Sequence, residues 1–349
     1  MDTQNQKPII IWLAIGCFLI ALMVVVGGIT RLTHSGLSMV EWKLFIGSIP
    51  PLSQQDWLET FNQYKQTPEF KIRNFDFSLE QFKSIFWWEY IHRLLGRIIG
   101  VVFIIPFLYF LLKKKLGALL TRKLLFVFVL GCFQGFLGWF MVKSGLIKDP
   151  NVSHYRLAGH LIIAFILYCY TLWILLELVF PQREKDSFQT RLLKKYSIAL
   201  LIITFIQVIY GAFVSGLKAG SVYNTFPKMG DRWIAESIGF SYNNIGMISF
   251  FENLASVQFI HRYLAFIILF GALFIWFRSQ KVFLHPHQKL GVNLVMAMVL
   301  VQFLLGVLTL LYSVPLTLAV LHQLGALLLP TAIIYFLFHL NPKSSEVGL

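Results

Sequence analysis

Glu89 and His92 stand three residues apart in Glu89-Tyr90-Ile91-His92-Arg93, where an aromatic-rich segment turns into a long apolar run. On a helix, residues at that spacing share one face. Ionisable groups at the mouth of a membrane helix are costly unless something uses them. The phrase returns as Gln258-Phe259-Ile260-His261-Arg262, with an amide in place of the carboxylate. His160 and His322 lie near the starts of two further apolar runs. The four histidines sort into two pairs, His92 with His160 and His261 with His322. Facing imidazoles at one depth suit an iron porphyrin clamped between helices. A zinc site needs about four converging ligands, usually with thiolate or carboxylate help, and two separate pairs do not supply that. Arg93 and Arg262 each follow a histidine. A guanidinium matches a propionate carboxylate, and snorkelling toward headgroups is the equal alternative. A saturated, electron-carrying heme needs no acid or base nearby, whereas a heme reacting at its periphery does. The Glu89/Gln258 difference therefore assigns chemistry to the N-terminal half and a fixed cofactor to the C-terminal half. The plainer alternative is an ion pair between Glu89 and Arg93 at the helix start.

The elements that must hold these groups are membrane spans. The chain has 349 residues, 57% hydrophobic and 13% charged, which predicts an all-α, polytopic membrane protein. About eight runs are long enough to cross: Ile9–Gly28, Ile91–Leu112, Leu124–Val142, Leu157–Phe180, Tyr196–Ser215, Ile260–Phe277, Leu290–Leu311 and Leu316–Phe338. The net charge of +14 does not point to nucleic acid. It is concentrated in alternate connections: Lys113, Lys114, Lys115, Arg122 and Lys123; Arg183, Lys185, Arg191, Lys194 and Lys195; Arg278, Lys281 and Lys289. That is the positive-inside pattern. It places both termini in the cytoplasm of a bacterial inner membrane, and two long connections, 29–90 and 216–259, outside. The first carries Trp42, Trp57 and Trp87-Trp88, expected to anchor at the headgroups, and no obvious helix. Cys17, Cys132 and Cys169 all fall inside apolar runs, so neither a structural disulfide nor a thiolate metal site is expected.

The chain repeats internally. Gly27–Gly36 aligns with Gly211–Gly220 at an offset of 184, the two Ile-His-Arg phrases at 169, Gln134-x-x-x-Gly138 with Gln302-x-x-x-Gly306 at 168, and His160 with His322 at 162. Gln207-x-x-x-Gly211 echoes the same motif, whose glycines are expected at helix contacts. Two halves, 1–180 and 181–349, follow as tandem four-helix bundles related by a pseudo-two-fold along the membrane normal. Of the remaining histidines, His34, His285, His287 and His339 are expected to be solvated or interfacial. His154 is a candidate for the mouth of a site.

Five stretches together carry a family resemblance: GGITRLTHSGLSMVEW, WWEYIHRLLGR, DPNVSHYRLAGHL, GLKAGSVYNTFPKMGDRW and FIHRYLAF. With them the chain resembles the heme A synthase family of cytochrome oxidase assembly over nearly its whole length. It lacks the outer-loop cysteine pair of some members and so resembles the class without it. The resemblance implies oxidation of the ring methyl group of heme O to the formyl group of heme A, through two successive hydroxylations. It implies that His92 and His160 face the substrate heme, that Glu89 is the essential acid, and that His261 and His322 ligate a heme b that relays electrons. The electron donor, docking with the farnesyltransferase that makes heme O, and a homo-oligomeric state are left open. Without the resemblance, a non-catalytic bis-histidine heme electron carrier accounts for the four histidines equally well. A transporter does not, because its distinctive residues belong at the midplane.

Overall fold

The computed structural model describes residues 6–40, 49–145, 151–181 and 188–341. Trp42, Arg183 and Lys185 lie outside them. The described residues are helical, and eight helices are long and apolar enough to cross a membrane. These are α1 (Lys7–Leu32), α4 (Leu79–Leu112), α5 (Ala118–Gly145), α6 (His154–Val179), α7 (Phe188–Gly216), α10 (Leu254–Ser279), α11 (Pro286–Leu311) and α12 (Leu316–His339). The chain is a multi-pass membrane protein. Shorter helices fill the two long connections: α2 (Gln54–Tyr64) and α3 (Pro68–Ile72) in the first, α8 (Glu236–Ile245) and α9 (Ser249–Glu252) in the second.

The expectation of a helix-free first connection fails, and the reason is local. Ser53 accepts from the Asp56 N–H while the Asp56 carboxylate accepts from the Ser53 N–H, a capping box that starts α2. Thr67 caps α3, with Pro68 at its first position. A second box, Ser78 with Gln81, starts α4 twelve residues before the apolar run does. At 34 residues α4 is about 51 Å long, against an apolar layer of about 30 Å. The helix is longer than that layer, and Glu89 is a mid-helix residue rather than one at a helix mouth.

The chain divides into two compact units, residues 18–164, and 1–17 with 165–349. In the first, α2, α3 and the head of α4 close over an aromatic cluster of Phe61, Tyr64, Phe82, Phe86 and Tyr90. Trp57 packs against this cluster, its ring 5.0 Å from that of Phe86. Trp87 is exposed. In the second unit α7, α10, α11 and α12 share a core that includes Leu200, Ile268, Val292, Val295, Ile333 and Phe336. Gly291 lets α11 and α12 touch, since a Cβ there would stand 2.9 Å from the Phe336 Cα.

Candidate functional site

Glu89 is 2% exposed and all its acceptor capacity is used. One oxygen, Oε2, accepts from the Ser38 hydroxyl at 2.7 Å and the Met39 N–H at 2.8 Å. The other, Oε1, accepts from Arg93 Nη2 at 2.6 Å and Nε at 3.1 Å. Arg93 Nη2 also donates to the Met39 carbonyl at 2.9 Å. Two buried charges are tolerable only when geometry and hydrogen bonds are this complete. The pairing of Glu89 with Arg93 is thus present, and it clamps the segment after α1 onto α4.

Gln258 performs the equivalent service for the second connection with the opposite polarity. Its amide Nε2 donates to the carbonyls of Ala219 at 2.9 Å and Val222 at 2.5 Å, and its Oε1 accepts from Arg262 at 3.1 Å. Arg262 donates onward to the carbonyls of Thr225 (2.7 Å), Lys228 (3.1 Å) and Tyr223. The segment at 38–39 offers an O–H and an N–H, and the segment at 219–222 offers carbonyls. An acid suits the first and an amide the second, which gives the Glu/Gln asymmetry a structural cause that stands beside any chemical one. The two arginines also differ. Arg93 is neutralised by Glu89, whereas every partner of Arg262 named above is neutral.

The four histidines share one packing arrangement. Each ring lies against a glycine of the preceding transmembrane helix in sequence. A Cβ added at Gly27 would meet His92 at 3.0 Å, at Gly138 His160 at 3.2 Å, at Gly211 His261 at 3.2 Å, and at Gly306 His322 at 2.9 Å. The Gln-x-x-x-Gly pattern predicts helix contact at Gly138, Gly211 and Gly306, and the group met there is the imidazole of the following helix. The glutamine one turn earlier completes three of the four arrangements. Gln134 Nε2 lies 3.3 Å from His160 Nε2. Gln207 Nε2 lies 3.4 Å from His261 Nε2 and donates to the His261 carbonyl at 3.0 Å. Gln302 Nε2 donates to the His322 carbonyl at 2.9 Å.

The rings of His261 and His322 lie with centroids 6.5 Å apart and planes at 81°. Two metal–imidazole bonds of about 2 Å plus two ring radii span about 6 Å, so an iron fits between them. The Nδ1 atoms of His160, His261 and His322 are buried without a partner, as befits rings awaiting a ligand. His92 lies within electrostatic reach of His160. Among the described residues no cluster of three or more His, Cys, Asp or Glu could hold a bare metal ion. His154, the first residue of α6, is buried against Tyr155, and His34 is exposed with a left-handed φ of 54°. His339 departs from expectation. It is buried, its ring stacked 4.8 Å from that of His287.

A further acid escaped the sequence reading. Glu69 of α3 is 3% exposed, accepts from the Tyr64 hydroxyl at 3.4 Å and lies within electrostatic reach of Glu89. Burial pushes its carboxyl up to about 7, the Glu89 charge adds to the shift, and Arg73 opposes it. The signal that points to it is the cap at Thr67, which folds Glu69 under Tyr64.

The COX15-CtaA family of cytochrome oxidase assembly proteins matches residues 10–334. Relatives called heme A synthase include one from Flavobacterium psychrophilum, 48% identical over 96% of this chain and 98% of that protein. Another, from Nitrosospira multiformis, is 49% identical over 95% of this chain and 92% of that one. The heme A synthase COX15 of Arabidopsis thaliana is 45% identical over 94% of this chain and 73% of the plant protein.

Proposed function

From the premise that the chain belongs to the COX15-CtaA family of cytochrome oxidase assembly proteins, we propose that it is a heme A synthase, oxidising the ring methyl group of heme O to the formyl group of heme A. The observation that carries the heme reading is the pair His261 and His322, spaced for one iron. In this reading His261 and His322 hold a resident heme b, and His92 and His160 hold the substrate heme. The resident group supplies one-electron transfer when bound. The chain then works as two tandem halves, 1–180 for the substrate and 181–349 for the cofactor, in a bacterial inner membrane with cytoplasmic termini, which the alternation of basic connections supports.

The chain's own residues do three things. The imidazoles orient each macrocycle between helices. Arg262, lacking a carboxylate partner among the described residues, is the better matched of the two arginines to a propionate. In this reading Glu89, paired with Arg93, orients the buried dipole of that ion pair toward the substrate and favours positive charge developing at the methyl carbon. Direct handover from the farnesyltransferase that makes heme O suits a substrate too apolar to travel through water. One observation favours a non-catalytic heme carrier, namely that the Glu89 oxygens are fully engaged. Expression with and without heme O supply, followed by chromatography of the extracted hemes, separates the readings. Heme A appearing only with the supply supports the enzyme. Heme b alone in both leaves the carrier.

A further inference from the structure

Two of the four histidine rings stand against a glutamine amide, a third histidine is held by an amide on its main-chain carbonyl, and one has no amide. The bracing glutamine stands four residues before the glycine that receives the ring: Gln134 before Gly138, Gln207 before Gly211, Gln302 before Gly306. In α1 the same register position before Gly27 is Met23. Its methyl group lies 3.4 Å from where a Cβ at Gly96 would be, one turn beyond His92. A thioether donates no hydrogen bond, and no side chain donates one to His92 among the described residues.

The ring orientations differ as well. His160, His261 and His322 turn Cε1 toward their glycines, and in the first two Nε2 faces the amide. His92 turns Nε2 toward Gly27 instead. The two orientations differ by a half-turn of the ring. The amides also tie helix to helix, α7 to the His261 carbonyl on α10 and α11 to the His322 carbonyl on α12. Each keeps a buried carbonyl oxygen without a partner at Gln134, Gln207 and Gln302. A ligating imidazole needs an acceptor for its second N–H, and that oxygen is one on hand.

We propose that Gln134, Gln207 and Gln302 are positioning residues that brace His160, His261 and His322, and that Met23, standing where the fourth amide would be, leaves His92 the loosely held ligand through which substrate heme enters and product leaves. The inference rests on the assignment of His92 and His160 to the substrate and of His261 and His322 to heme b. A resident cofactor then has two braced ligands, and an exchanging substrate has one braced and one free to swing.

Heme loss from the purified protein to apomyoglobin tests this directly, because heme O or A and heme b are told apart by chromatography of what remains. Three proteins are compared: wild type, Met23→Gln and Gln207→Leu. Wild type should lose heme O or A faster than heme b. Met23→Gln should slow that loss about tenfold, and Gln207→Leu should speed loss of heme b about tenfold, the usual scale for an outer partner of a metal ligand. Wild-type rates in both variants, or equal rates for the two hemes in wild type, overturn the inference while leaving the functional reading intact. A wild-type protein that purifies without heme overturns both.

Discussion

Replacing Glu89 by glutamine is the most searching perturbation of the first unit. The carboxylate receives four hydrogen bonds, two on each oxygen. An amide can keep one side only. If its oxygen stays with Arg93, its NH2 group confronts the Ser38 hydroxyl and the Met39 N–H. The hydroxyl can turn and accept, but the N–H cannot, so a buried donor is left unpaired at about 1–3 kcal/mol. Arg93, itself buried, loses its counter-charge, and breaking such a pair costs about 3–5 kcal/mol. Glu89→Gln should therefore lower the stability of the solubilised protein by about that amount, abolish heme A in extracted hemes, and leave heme b bound through His261 and His322. Lost activity alone would not separate charge from architecture. The double variant Glu89→Gln with Arg93→Gln does, because it removes both buried charges. It should recover much of the thermal stability and none of the heme A. Heme A restored in the double variant would reduce Glu89 to a clamp, and normal heme A in the single variant would remove it from the mechanism.

Three other outcomes follow from the same geometry. Gln258→Glu aims a carboxylate at the carbonyls of Ala219 and Val222; it should cost about 2–4 kcal/mol in a thermal scan and create no second oxidising site detectable among the extracted hemes. Gly306→Ala places a methyl group 2.9 Å from the His322 ring, so it should displace the imidazole, weaken the heme b absorbance and destabilise by about 1–3 kcal/mol despite the better helix propensity of alanine. Glu69, with its folded carboxyl raised from 4.5 to about 7, binds its proton more tightly folded than unfolded, so its destabilising contribution is absent below pH about 4 and grows to its full size above pH about 7. Glu69→Gln should accordingly stabilise by up to about 3 kcal/mol at pH 8 and by little at pH 4, and an equal gain at both would refute the assignment.

The eight spans were legible because each is a long apolar run, and the glycine–histidine contacts recur because the chain says the same thing twice. What escaped the reading needs neighbours distant in sequence or caps that apolarity hides. The early start of α4 was written in the capping box of Ser78 and Gln81, but the change to strong apolarity comes later and drew the boundary. Glu89 was singled out from its own phrase, yet its partners at Ser38 and Met39 lie about fifty residues away, and only the folded chain shows that they are donors. The Gln-x-x-x-Gly motif was visible three times over. Its purpose was not, because a glycine that admits an imidazole and one that admits a helix look alike in sequence. The absence of the amide at Met23 becomes meaningful only once the other three are seen braced against their histidines.

The claim on which the account stands is that each histidine pair holds its own macrocycle. Heme composition of two purified double variants tests it, each made with heme O supplied. His261→Ala with His322→Ala should lose heme b and keep heme O, while His92→Ala with His160→Ala should keep heme b and lose heme O and heme A. Both hemes surviving in either variant, or both vanishing together from a protein that remains folded, would contradict it.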